Sequence, residues 1–191
     1  FVLSGEDQAK VDAETDEEVK SSLKSELLNR QWRNKAVSDS YEPGSVFKIV
    51  TASIAIEESL INKKNSFFCN GRITVAGQGY GCWKHGGHGT QDLSMAIANS
   101  CNPAFITIGQ LVGVPTFSKY FKAFGFAEKT GIDLPGESRS TYHSEQNMGV
   151  VELASSSLGQ TFNVTPVQIL SAVSAAVNGG YLVQPHLLEK S

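Results

Sequence analysis

At 191 residues, 40% hydrophobic and 18% charged, the chain has ordinary globular composition and enough length for one domain with its own core, which excludes disorder throughout. A net charge of −3 and a pI near 5.8, with no clustered basic footprint, exclude a sequence-independent nucleic-acid binder. No apolar run approaches the roughly 20 residues of a membrane-spanning helix and no signal-peptide pattern opens the chain, so the segment is expected to be soluble, with any anchor elsewhere in a parent protein.

Residues 1–40 are charged and helix-favouring, with few large apolar side chains, and predict a peripheral surface helix over 16–34. Composition turns apolar after Tyr41, where "YEPG" punctuates the chain ahead of a helix over 45–59. Val46, Phe47, Ile49, Val50, Ala52, Ile54, Ala55 and Ile56 leave that helix no polar face, the signature of a buried central helix. Residues 62–90, rich in Gly and Asn, predict short strands and loops. A helix follows in "TQDLSMAIANS", with Thr90 as its cap and Asp92 in its first turn. Asn102-Pro103 breaks the chain before the apolar helix "AFITIGQLVG". The next helix, "PTFSKYFKAFGF", carries Phe117, Tyr120, Phe121 and Phe124 along one face. A loop leads to the helix "TPVQILSAVSAAVNGG", capped by Thr165, and "YLVQPHLL" reads as a strand. The architecture expected is α+β, mostly helix with little sheet.

Ser45 and Lys48 stand three apart, and on a helix that spacing puts two side chains on one face within reach of each other. A serine hydroxyl is a poor nucleophile until a base takes its proton. Burial lowers a lysine's pKa by disfavouring the ammonium, so Lys48 could be that base. Amide N–H groups at the helix start could stabilise the negative charge that develops on acylation. The pattern alone is common, and Ser21 and Lys24 repeat it in a charged, exposed segment where the lysine stays protonated. The bland alternative for the first pair is a capping serine and a lysine snorkelling to water. Ser100 and Asn102, in "ANSCNPAF", form a second polar pair beside a turn-forming proline, where a plain helix end is the competing reading.

The three cysteines, Cys69, Cys82 and Cys101, cannot all pair in disulfides within the chain, and His85 and His88 lie among them. Thiolate and imidazole are the ligands zinc prefers. The spacing C-x12-C-x5-H-x12-C is looser than a zinc finger's, and buried thiols, or one disulfide with a spare, remain open. His143 and His186 read as structural or exposed, and Trp83 as core or cleft wall.

Together these segments resemble the penicillin-binding transpeptidases of the class B, monofunctional group. "WRNKAVSDSYEPGSVFKIVT" is similar to the family's acylated-serine segment with its S-x-x-K motif, and "SCNPAF" to its S-x-N motif. "TGIDLPGES" and "SLGQTFNVTPVQILSAVSAAVNGGYLVQPHLL" follow in family order, so the likeness runs from about Trp32 to Leu188. The resemblance implies a penicillin-binding transpeptidase or serine β-lactamase-like fold and peptidoglycan cross-linking through an acyl-serine. Stem peptides would be substrates and β-lactams inhibitors. A cell-wall glycosyltransferase is an implied partner of the parent protein, and the outer face of the bacterial cytoplasmic membrane its implied location. Ser45 would be the nucleophile, Lys48 its base, Ser100 a proton relay to the leaving group and Asn102 the holder of the substrate amide. Some members carry a structural zinc in this region, which implies Cys69, Cys82, His88 and Cys101 as ligands with His85 in reserve. The family's third motif, K-T-G on an edge strand, is expected beyond Ser191. The letters in "EKTGID" fall in a different family segment and receive no catalytic role. On that reading residues 1–191 are a single partial domain, mainly its helical half, with little activity alone. A β-lactamase or β-lactam sensor on the same fold, and a non-catalytic zinc-stabilised binding module, are the alternatives.

Overall fold

The computed structural model of the chain describes residues 2–189. Helix α1 spans Gly5–Ala13, α2 Glu17–Trp32 and α3 Lys35–Ser38. A 3-10 turn, Gly44–Phe47, feeds α4 at Lys48–Glu57. Four short strands follow, β1 Ser66–Cys69, β2 Arg72–Val75, β3 Gln78–Gly81 and β4 Gly89–Asp92. Then come α5 Leu93–Ala98, α6 Asn102–Val112, α7 Val114–Ala123, α8 Val150–Ser156 and α9 Pro166–Val177.

Helix α4 is the hub, packed against α6, α7 and α9. Phe47, Val50, Ile54 and Ala55 are buried there beside Phe105, Ile106 and Ile108 of α6. Phe47 anchors an aromatic cluster, with ring centroids 4.8 Å from Phe162, 5.4 Å from Phe126 and 5.9 Å from Phe117. The amino-terminal segment keeps its own small cluster of Leu3, Val11 and Leu27, so the expected peripheral helix is present as α2. Asp16 caps it by accepting the Glu18 and Val19 N–H groups. The strands form two antiparallel pairs: β1 with β4 in the register Phe68–Thr90, and β2 with β3 across a tight turn at Ala76 and Gly77.

Several expectations needed correction. Thr90 does not cap α5, because β4 takes it into a ladder. Asp92 Oδ1 accepts the Met95 N–H at 2.8 Å instead. Helix α1 was not expected, since Val11 alone among its residues is buried and no apolar stripe marks it. Helix α8 was missed for a different reason: its small, polar run carries no apolar stripe, yet the small residues at its end let it approach α6. A Cβ on Gly109 would stand 2.5 Å from Ser157 Cβ, so only glycine fits there. "YLVQPHLL" is extended but forms no ladder among the described residues. Its backbone is held instead by Asp133, whose carboxylate accepts the Leu187 and Leu188 N–H groups at 2.8 and 2.9 Å. Trp83 is neither core nor covered: 65% of it is exposed, although its indole N–H donates to the Asn99 carbonyl.

Candidate active site and metal centre

Ser45 occupies the 3-10 turn and is exposed. The turn is held from behind. Gly44 has a positive φ of 58°, and its N–H donates to the Gly159 carbonyl at 2.8 Å. Gly159 in turn adopts φ +80°, and a Cβ there would lie 2.1 Å from the Gly44 oxygen. Glu42 accepts the N–H of Thr161, a non-glycine residue at φ +65°, which ties the same segment to the start of the turn.

Lys48 opens α4 with only 3% of its surface exposed. Helices α4 and α6 pack together, which brings the amine across 52 residues of sequence to the corner before α6. Nζ donates to the Ser100 carbonyl at 2.9 Å, to Ser100 Oγ at 2.9 Å and to Asn102 Oδ1 at 2.7 Å. An ammonium has three protons, and here each has an acceptor. Ser100 holds that place at a strained φ of +47°, the kind of outlier that persists where surroundings over-determine it. Asn102 is fixed at both ends of its amide, since Nδ2 donates to the Gly81 carbonyl of β3 at 2.9 Å. Burial holds the Lys48 pKa down at about 8, partly offset by the neighbouring Cys101 and Cys82 sulfurs.

Lys48, Ser100 and Asn102 are therefore gathered into one hydrogen-bonded set. Ser45 stands beside that set by sequence, but no hydrogen bond joins its hydroxyl to the amine, whose donors all face α6. The sequence reading missed Glu42, Gly159 and the Gly81 carbonyl, because each acts through a contact distant in the chain. The decoy in "EKTGID" is excluded by its bonding. Glu137, itself buried, accepts the Thr130 N–H and hydroxyl, both at 2.7 Å, and the Gly131 N–H at 3.2 Å.

Next to Asn102, the atoms that could ligate a metal on Cys69, Cys82, His88 and Cys101 lie within 4.8 Å of one another. Cys82 Sγ is 3.6 Å from His88 Nδ1. Zinc–sulfur and zinc–nitrogen bonds meeting at a tetrahedral angle set two such atoms about 3.5 Å apart, a spacing this pair matches, and the four residues together could hold a metal ion. His85 is exposed and lies outside the cluster. Burial pushes the Cys101 thiol up to about 12. Burial acts the same way on Cys69, but N–H groups of His88 and Gly71 outweigh it and leave that thiol lowered. Hydrogen bonds of this kind orient a thiolate ligand from behind.

The family model of the penicillin-binding protein transpeptidase domain matches residues 3–191. The chain belongs to that family. Among curated members, stage V sporulation protein D of Bacillus subtilis is 45% identical over 159 residues, covering 83% of this chain and 25% of that protein. Peptidoglycan D,D-transpeptidase MrdA of Acinetobacter baumannii is 31% identical over 172 residues, covering 84% and 26%. The chain thus spans about a quarter of the length of these two relatives. Penicillin-binding protein 3 of Mycobacterium tuberculosis, solved with aztreonam, superimposes with a TM-score of 0.77 at 29% identity, over 85% of this chain and 36% of that one. A peptidoglycan glycosyltransferase structure from Burkholderia ambifaria, 20% identical with a TM-score of 0.79 over 85% of this chain and 51% of that one, shares the fold. The transpeptidase fold expected from the motifs is the fold observed, with small antiparallel pairs beside a helical body.

Proposed function

We propose that the protein carrying this chain is a D,D-transpeptidase that cross-links peptidoglycan stem peptides through an acyl-serine and is acylated by β-lactams at the same residue. The observation that carries the reading is the burial of the Lys48 amine against Ser100 Oγ and Asn102 Oδ1, one residue turn from an exposed serine. Solvent exclusion gives that amine a pKa of about 8, so roughly a tenth is neutral near pH 7 and available as a base.

A neutral amine has two protons and a lone pair, so one of its three bonds must reverse or open. Ser100 can accommodate this, because a hydroxyl accepts or donates with equal ease. With the bond to Ser100 opened, the freed lone pair of Nζ turns to Ser45 and takes its proton while Ser45 Oγ bonds to the carbonyl carbon of the donor peptide. The bond from that carbon to the terminal amino acid's nitrogen breaks, and the leaving nitrogen receives its proton through Ser100. A second amine attacks the acyl carbon and gives up a proton to Lys48 Nζ, which passes it to Ser45 Oγ as the acyl–oxygen bond breaks, so a peptide bond re-forms and the serine hydroxyl is restored. Asn102, anchored by Gly81, presents its remaining amide proton for the substrate carbonyl.

Cys69, Cys82, His88 and Cys101 would hold a structural zinc, a closed four-ligand set that supplies rigidity and no open position for chemistry. Cys101 lies between Ser100 and Asn102, and Cys82 follows Gly81, so such a clamp would set the positions of both polar side chains. Among the described residues no helix is long and apolar enough to cross a membrane. We place the domain outside the cytoplasmic membrane on the strength of its substrate, with an anchor and a glycosyltransferase partner belonging to the parent protein. Covalent labelling by a fluorescent penicillin tests the reading: the full-length protein should label stoichiometrically, and Ser45→Ala should abolish labelling without loss of fold. Retained labelling in Ser45→Ala would overturn it.

A further inference from the structure

A cavity of about 120 Å³ opens between α7 and the loop 141–148. Ser45, Lys48, Ser100, Asn102 and the cysteine cluster take no part in its lining. Its walls include the rings of Phe117, Phe121, Tyr142 and Phe162. Phe121 and Phe162 meet edge to face at 5.2 Å, and Phe121 and Tyr142 lie 4.9 Å apart.

Ser118 lines the same space, with 7% of its surface exposed. Its Oγ is buried and has no hydrogen-bond partner among the described residues. A helical hydroxyl can bond the carbonyl one turn back, as Thr107 does to Pro103 at 2.9 Å, whereas Ser118 Oγ makes no such bond. A hydroxyl taken from water without a partner is unfavourable, and a molecule bringing one hydrogen-bonding group into the cavity relieves that penalty.

The walls and rim define what that molecule is. A cavity of about 150 Å³ lined by apolar side chains is enough for benzene, so the somewhat smaller volume here limits the occupant to about one planar ring. Aromatic walls present both edges and faces to such a ring. Lys122 and Glu145 are exposed with opposite signs, and His143, Ser144, Gln146 and Ser156 add polar groups to the same lining, so a neutral molecule needs no counter-charge to enter. We propose that this cavity is a binding site for a small neutral molecule built on one planar ring and carrying one hydrogen-bonding group, phenol being its simplest member. The site is joined to the nucleophile's turn by a single ring: Phe47, two residues from Ser45, is 4.8 Å from Phe162 and 6.3 Å from Phe121.

Titration of phenol and toluene into the full chain, followed by NMR, tests this. Phenol should bind with a Kd near ~1 mM and toluene about tenfold more weakly. Backbone amide shifts should map to residues 117–122 and 142–148. Ser118→Ala should weaken phenol about tenfold and leave toluene unchanged, and Ser118→Leu, filling the space, should abolish both. Equal affinity for phenol and toluene, absence of binding at several times the expected Kd, or phenol binding indifferent to Ser118→Ala would each overturn the proposal. If Ser118→Leu fails to fold, the alanine variant decides the matter, since alanine is well tolerated in a helix.

Discussion

Replacing Gly159 by alanine separates two effects of one methyl group, and its outcome depends on the segment behind Ser45 being as tight as described. At φ +80° an L side chain carries a backbone penalty of about 1–2 kcal/mol. The new Cβ would also stand 2.1 Å from the Gly44 oxygen and 2.8 Å from Gly44 N, inside the 3.0 Å limit of real contacts, so one strand of chain must shift by about 0.9 Å. That shift loosens the 2.8 Å bond from the Gly44 N–H to the Gly159 carbonyl. Overpacking of this kind adds about 1–3 kcal/mol and the bond about 1 kcal/mol. Gly77 is the control, because it sits at φ +85° with nothing within 4 Å of its added Cβ. Calorimetry should find Gly77→Ala modestly destabilised and Gly159→Ala melting about 5–10 °C below it. Penicillin labelling of the full-length protein should slow at least tenfold in Gly159→Ala and be untouched in Gly77→Ala. Equal melting temperatures for the two variants would refute the claim that Gly159 braces the serine turn.

Purified protein should carry near-stoichiometric zinc, and Cys101→Ser should lose it and lower Tm by about 5–10 °C, read by metal analysis and calorimetry; metal content unchanged by the substitution would remove Cys101 from the ligand set. The rate of acylation should climb with pH and level off above about 8, the point at which Lys48 becomes neutral. Stability carries the same signature with a defined sign. Folding lowers the Lys48 pKa, so between about 8 and 10.5 the unfolded chain holds a proton that the folded one releases, and stability rises with pH across that window. Lys48→Met should lose that rise, worth about 3 kcal/mol at most.

Much of this site was legible in the sequence because its chemistry sits at element boundaries that leave marks. Pro43 and Gly44 announce the turn before Ser45, Asn102-Pro103 announces the start of α6, and Thr165 with Gln168 forms the capping box of α9. Cys69, Cys82, His88 and Cys101, which the family resemblance implied as ligands, stand together as a group that could hold a metal ion. What stayed hidden was set by tertiary contact. Helix α8 has too few apolar residues to show a stripe, yet it buries Leu153, Ala154, Ser155 and Ser156 against α6 and α7. Thr90 read as the cap and Asp92 as a first-turn residue, and only the pairing of β4 with β1 moves the start of α5 so that Asp92 caps it. The helical i, i+3 rule set Lys48 toward Ser45, whereas acceptors on α6, more than fifty residues on, turn the amine to Ser100 and Asn102. Trp83 looked like core by size, but a long-range bond to Asn99 holds it on the surface.

The account turns on the state of a single amine, and NMR titration of the Lys48 side chain in the folded protein, followed at its ζ-nitrogen or ε-carbon, measures it directly. A midpoint near 8, well below the 10.5 of an ordinary lysine, is the result expected for an amine shut from water beside Ser100 and Asn102. A midpoint at 10.5 or above would mean a hydrated ammonium with no capacity to take the Ser45 proton, and would contradict the account.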